Sequence, residues 1–218
     1  AEADGDPLRA TWDLDKVAEL GTWALELSQA EERYVELLNR VAGRGPGTVV
    51  AWEKVDRLLK NYKEPGGNHA QKALKKTLGH LSEHVATVYQ RYLDPKNERA
   101  PNVSITINND EVEAWNPCEP LSEGVREVFT EEVLVEASDG EELTFTIRAV
   151  ILPHKDELSA EDQRRVKITN ARQGIYIYRE NRLIHGPTWL KLWVKEPHLS
   201  HLRVELSFDH RMDEFFRV

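Results

Sequence analysis

The sequence predicts an α+β protein of two lobes. Two segments of the first half place apolar residues at helical spacing. The second half carries β-branched and alternating runs separated by turn residues. Between them, Pro117, Pro120 and Gly124 mark 116–128 as the expected boundary, which leaves a first lobe at 1–115 and a second at 129–218. With 218 residues, 40% of them hydrophobic, the chain is long enough for one large domain or two small ones and can build a core. No apolar run approaches the roughly 18 residues of a membrane helix, so no span is expected.

The elements follow in order. Residues 1–13 are acidic and read as loose, and 15–20 form a short helix stopped by Gly21. Residues 22–27 read as a strand. Ser28 and Glu31 then make a capping box ahead of Tyr34, Leu37, Leu38 and Val41, with Gly43 as the stop. After a glycine- and proline-rich turn, β-branched residues at 48–52 predict a buried strand. Leu74, Leu78, Leu81, Val85, Val88 and Tyr92 step by three and four along a long helix at 69–93. A hairpin follows at 104–107 and 112–115, turned by Asn108 and Asn109. In the second half, strands at 132–137 and 143–152 flank the turn Ser138-Asp139-Gly140. Ser159 caps a helix through Val166, and strands occupy 174–179 and 202–208. Trp23, Trp52 and Trp115 fall in expected strands and are assigned to the core.

Charge and composition narrow the function. A net charge of −9 argues against a general nucleic-acid binder. A lone Cys118 excludes an internal disulfide and a four-cysteine zinc site, and fits a reducing, cytoplasmic setting. The chain opens without a basic or apolar leader and ends in the apolar pattern Phe215-Phe216-Arg217-Val218, which is read as an excised piece of a longer protein.

Several motifs carry chemistry. His80, Glu83 and His84 match the H-x-x-E-H pattern of zinc hydrolases, in which two histidines one turn apart hold the metal and the glutamate takes a proton from bound water. Both histidines lie off the apolar stripe, so solvated surface histidines are the preferred reading and the zinc hydrolase a lesser alternative. Cys118 has no neighbouring base to activate it and reads as a plain loop cysteine. Lys72, Lys75 and Lys76 read as a solvated helix face rather than a phosphate site. Gly47 could let a ligand approach the backbone and Thr48 could offer a hydroxyl to a base or phosphate, although a turn glycine and a strand threonine are the plainer reading.

Three stretches in the same order then point to a family. RQGIYIYRENRLI at 172–184, followed by Trp189 and by HLRVEL at 201–206, resembles the corresponding stretch of the GHKL ATPases. That superfamily includes gyrase B subunits, ninety-kilodalton heat-shock chaperones, MutL, MORC proteins and histidine kinases. GTVVAWE at 47–53 is similar to its last nucleotide-pocket strand, and HLSEHVATVYQRYL at 80–93 to the helix that closes its ATPase lobe. The resemblance implies that 1–115 is the distal part of a Bergerat-type ATP-binding α/β sandwich. It also implies that 129–218 is a transducer lobe like domain 2 of ribosomal protein S5. In that reading Gly47 and Thr48 are the nucleotide-binding residues, and ATP with Mg²⁺ is the cofactor of the intact protein. ATP binding would drive conformational change and homodimerisation, with a protein or DNA client and no membrane. The family's glutamate–asparagine pair, its Asp-x-Gly-x-Gly box and its glycine-rich lid do not occur in this sequence. No residue is therefore assigned to catalysis, no tight cofactor is expected on this chain, and it should be inactive alone. The alternative from another class is an interaction module without a nucleotide pocket.

Overall fold

The computed structural model describes residues 7–43, 45–55, 58, 60–64, 66–121, 123–137 and 140–217. The fold is mixed α and β, and the chain divides into two compact units between Lys63 and Glu64. The boundary expected at 116–128 lies elsewhere, inside the second unit. The proline-rich stretch is there partly buried: Pro117 and Cys118 are fully buried, and the Cys118 N–H donates to Asn116 Oδ1 at 2.9 Å.

The first unit begins with β1 (Leu8–Thr11), in a segment expected to be loose, paired antiparallel with β2 (Glu26–Gln29). Between them lies α1 (Leu14–Leu20), capped by the Asp13 side chain and stopped by Gly21 in the left-handed region, as expected. Helix α2 (Glu32–Ala42) also forms, but without the expected capping box. Ser28 is taken by the β1–β2 ladder opposite Arg9, so it cannot turn to the helix end. The strand expected at 22–27 starts four residues later. The one expected at 48–52 is absent: that segment has no ladder partner, and Val50 and Trp52 stand in solvent. Trp23 and Trp52, assigned to the core by sequence, are 72% and 85% exposed. Among the described residues of this unit, no side chain is buried.

The second unit holds the core. Helix α3 (Asn68–Val88) runs into a short α4 (Gln90–Leu93), the two separated at Tyr89. Of the apolar stripe on α3, Val88 is buried while Leu81 remains exposed; Ala70 and Ala86, off the stripe, are buried as well. The next hairpin is shorter than expected, β3 (Thr106–Ile107) against β4 (Asp110–Glu111), with Asn108 and Asn109 at positive φ in the turn.

A five-stranded mixed sheet follows, in the order β5-β6-β9-β7-β8. Strands β5 (Arg126–Glu136) and β6 (Glu142–Ile151) form a long hairpin; its expected turn residues Ser138 and Asp139 lie outside the described residues. Helix α5 (Ala160–Val166) starts on Ser159, whose hydroxyl accepts from the Asp162 N–H at 3.1 Å. Strands β7 (Gly174–Arg179) and β9 (Leu202–Phe208) occupy the expected ranges and pair in parallel. Strand β8 (Arg182–Thr188) completes the sheet after a two-residue turn at Glu180 and Asn181, both at positive φ.

The alternation on β6 and β9 gives the sheet two different faces. One carries Leu143, Leu206 and Phe208, closed by Met212 and by Phe216 of α6 (Asp213–Phe216). The other carries Arg148, Arg203 and Glu205, and meets α4. Gly174 opens β7 at φ +127°, and a Cβ there would lie 2.8 Å from the Thr188 carbonyl oxygen. This position needs glycine both for its backbone angle and for the close approach of β8.

Candidate functional site

Sequence reasoning passed over the residues that the fold gathers most tightly. Helix α4 is one turn long, yet Gln90 and Arg91 are fully buried because α4 lies against the polar face of the sheet. The Arg91 guanidinium stacks on the Tyr178 ring, 3.8 Å from its centroid, and donates to the Glu205 carboxylate. It also donates to Ser207 Oγ at 2.7 Å and to Asn181 Oδ1 at 3.3 Å. Glu205 is itself only 2% exposed and accepts from two more arginines, Arg99 at 3.1 Å and Arg148 at 3.3 Å. One buried carboxylate thus draws together α4, the loop after it, and the central strands β6 and β9.

Electrostatics agree with the geometry. Burial pulls the Glu205 carboxyl upward, but the charges of Arg91 and Arg99 outweigh it and hold the pKa below its ordinary value. Burial lowers the pKa of Arg91, and the Glu205 charge opposes that shift. Arg148 reaches outward as well, to Glu119 and, at 2.7 Å, to Glu127. A second belt reinforces the joint: the Tyr92 hydroxyl donates to the Glu180 carbonyl at 2.6 Å and the Asn181 amide to the Arg99 carbonyl at 2.7 Å.

Beside this joint lies an open cleft of about 1630 Å³, whose lining includes Glu83, Arg99, Trp115, Glu119, Arg148 and Lys167. Several of its charges are spent on each other. Lys167 pairs with Glu83 at 3.1 Å, and Trp115 sits under Lys167 and Arg172 while its indole N–H donates to the Arg165 carbonyl at 2.7 Å. Burial pushes the Cys118 thiol well up, away from the thiolate a nucleophile needs.

The residues singled out by sequence fall elsewhere. Gly47 and Thr48 are exposed, in the first unit, and Gly47 has a packing role: a Cβ there would come within 2.6 Å of Ala42 Cβ on α2. His80 and His84 are exposed, and Glu83, the would-be base, is held by Lys167 below the ordinary carboxylate range. No group of three or more His, Cys, Asp or Glu residues that could hold a metal occurs among the described residues. Lys72, Lys75 and Lys76 are exposed as well. No helix of the described residues is long and apolar enough to cross a membrane.

Comparison with family models, with curated proteins and with solved structures finds no match to this chain. The chemistry that the site can perform is therefore read from its own residues. One buried glutamate that bridges three arginines, Arg91 buried with it, is suited to holding a helix on a sheet.

Proposed function

We propose that this chain is the mechanical part of a GHKL-type ATP-binding protein. In this reading the elements ahead of the five-stranded sheet belong to the distal portion of the Bergerat-type lobe, and the sheet with its helices is an S5-like transducer. Helix α3 and α4 carry the motion of a nucleotide-binding region to the five-stranded sheet through the Arg91–Glu205 joint. ATP binding in the intact cytoplasmic protein closes the lobes and favours a homodimer, which then engages a protein or DNA client.

One observation carries the reading. Two of the resembling stretches, 80–93 and 172–206, are far apart in sequence, yet their polar residues meet: Arg91 on Asn181 and Glu205, Tyr92 on Glu180. A lever needs such a rigid joint between the element that is pushed and the sheet that responds. The first unit lends further support. With Trp23, Leu27, Val50 and Trp52 exposed and no buried side chain among its described residues, it has the character of one layer of a larger lobe.

The residues present do not fit a nucleotide or Mg²⁺ by themselves. Gly47 and Thr48 face solvent in a segment without a ladder partner, and among the described residues no acidic cluster stands ready for a metal. The phosphate- and metal-binding groups would have to come from outside this chain. Titration with a non-hydrolysable ATP analogue and Mg²⁺, alongside a phosphate-release assay, tests this. No saturable binding below about 1 mM and release at the buffer blank are expected. Micromolar binding with turnover that Thr48→Ala removes would instead make the chain a self-contained ATPase.

A further inference from the structure

Strand β5 is eleven residues long and stands at the edge of the sheet, paired on one side by β6. Along its free side alternate residues turn N–H and C=O groups outward, a template for another strand. A register shift between Glu127 and Phe129 interrupts the ladder near its start, which leaves the regular segment 129–136. On one sheet face this segment presents Glu132, Leu134 and Glu136; on the other, Glu131, Val133 and Val135. Leu134 is 60% exposed, and Phe129 is exposed as well.

The charges say what can pair here. Among the described residues, Glu131, Glu132 and Glu136 make no ion pair, whereas Glu127 is taken by Arg148. Across the ladder Glu131 meets Ile147, Glu132 meets Thr146, and Glu136 directly faces Glu142, so no cation within the sheet answers them. A second copy laid antiparallel over 129–136 would set Glu131 opposite Leu134 and diagonal to Glu132 and Glu136 of the other copy, with no cation in the segment to answer them, which opposes self-pairing. An acidic edge also repels nucleic acid.

We infer that the β5 edge is a docking site for an extended, basic segment of a partner protein, which adds as a sixth strand. Read antiparallel to β5, the segment that answers Glu136, Val135, Leu134, Val133, Glu132 and Glu131 has the pattern basic–apolar–apolar–apolar–basic–basic. Main-chain hydrogen bonds hold it, the apolar residues flank Leu134 and Val133, and the cations lie opposite the three glutamates.

The probe is a soluble peptide containing KVLVKK, titrated into the full chain by fluorescence anisotropy at low salt. Saturable binding is expected, weakened about tenfold by EVLVEE in place of KVLVKK, and likewise by E131K/E132K in the protein. A peptide N-methylated at alternate residues keeps its charge and loses the main-chain donors, and should not bind. Equal binding of the N-methylated peptide would reduce the effect to nonspecific charge and overturn the inference. So would no binding, binding indifferent to E131K/E132K, or a dimer of the chain that these substitutions abolish.

Discussion

Replacing Glu205 by alanine is expected to destabilise the second unit by about 3–5 kcal/mol, the usual cost of stranding a buried charge. The reason lies in what remains. Arg99 is half exposed and can turn to water, and Arg148 keeps Glu119 and Glu127. Arg91, 1% exposed and stacked on Tyr178, has no other carboxylate among the described residues. Denaturant unfolding should show the loss at unchanged slope. Arg91→Met combined with Glu205→Leu should recover most of it, because a buried ion pair costs desolvation that apolar residues of similar size do not. The same pair sets an acid limit. The folded-state pKa of Glu205 lies below the unfolded value near 4.5, so its contribution is present above that pH and is lost as pH falls through the depressed value. Midpoints measured down the pH scale should hold to about pH 5 and then drop, and the drop should be smaller in the double variant. A single variant within about 1 kcal/mol of wild type would mean that Arg91 is not held as described.

The second large effect is expected at Gly174. Alanine normally stabilises a glycine position by about 0.4–1 kcal/mol through the unfolded chain. Here the sign reverses. The backbone stands at φ +127°, and the new Cβ would meet the Thr188 oxygen, nitrogen and carbonyl carbon at 2.8, 2.9 and 3.0 Å. These are main-chain atoms of the neighbouring strand and cannot rotate aside. Gly174→Ala should cost about 3–5 kcal/mol and release β8, seen as loss of amide protection across Arg182–Thr188. Gly186, on β8 itself, has open space where a Cβ would go, so Gly186→Ala is the control and should leave β8 in place.

How far the sequence foretold this fold depends on what holds each element. Strands β7 and β9 were legible because alternation and turn residues bound them locally, and α5 because Ser159 caps it in the ordinary way. The segment 48–52 looked like a strand because β-branched residues favour one, but propensity cannot supply a ladder partner. Trp23 and Trp52 were assigned to a core on the same ground, and the unit they belong to has none among its described residues. The Pro117–Gly124 stretch signalled a linker because proline and glycine punctuate; nothing local reveals that Pro117 and Cys118 are buried. The joint was the least legible part. Arg91 and Glu205 are 114 residues apart, and each looks like an ordinary surface charge until α4 is laid on the sheet. One signal was present in sequence: Glu205 alternates with the apolar Val204 and Leu206, so it shares a face with Arg203 and Ser207. Such a polar face on a central strand asks for a polar partner.

The coding sequence that adjoins these 218 residues bears most directly on the proposed lever. If the sheet and α4 answer to a nucleotide held elsewhere in the same polypeptide, the codons upstream should specify a helix with a glutamate–asparagine pair, then an Asp-x-Gly-x-Gly box and a glycine-rich lid. An upstream sequence that encodes none of the three would contradict the proposal and leave the Arg91–Glu205 joint as a purely structural device.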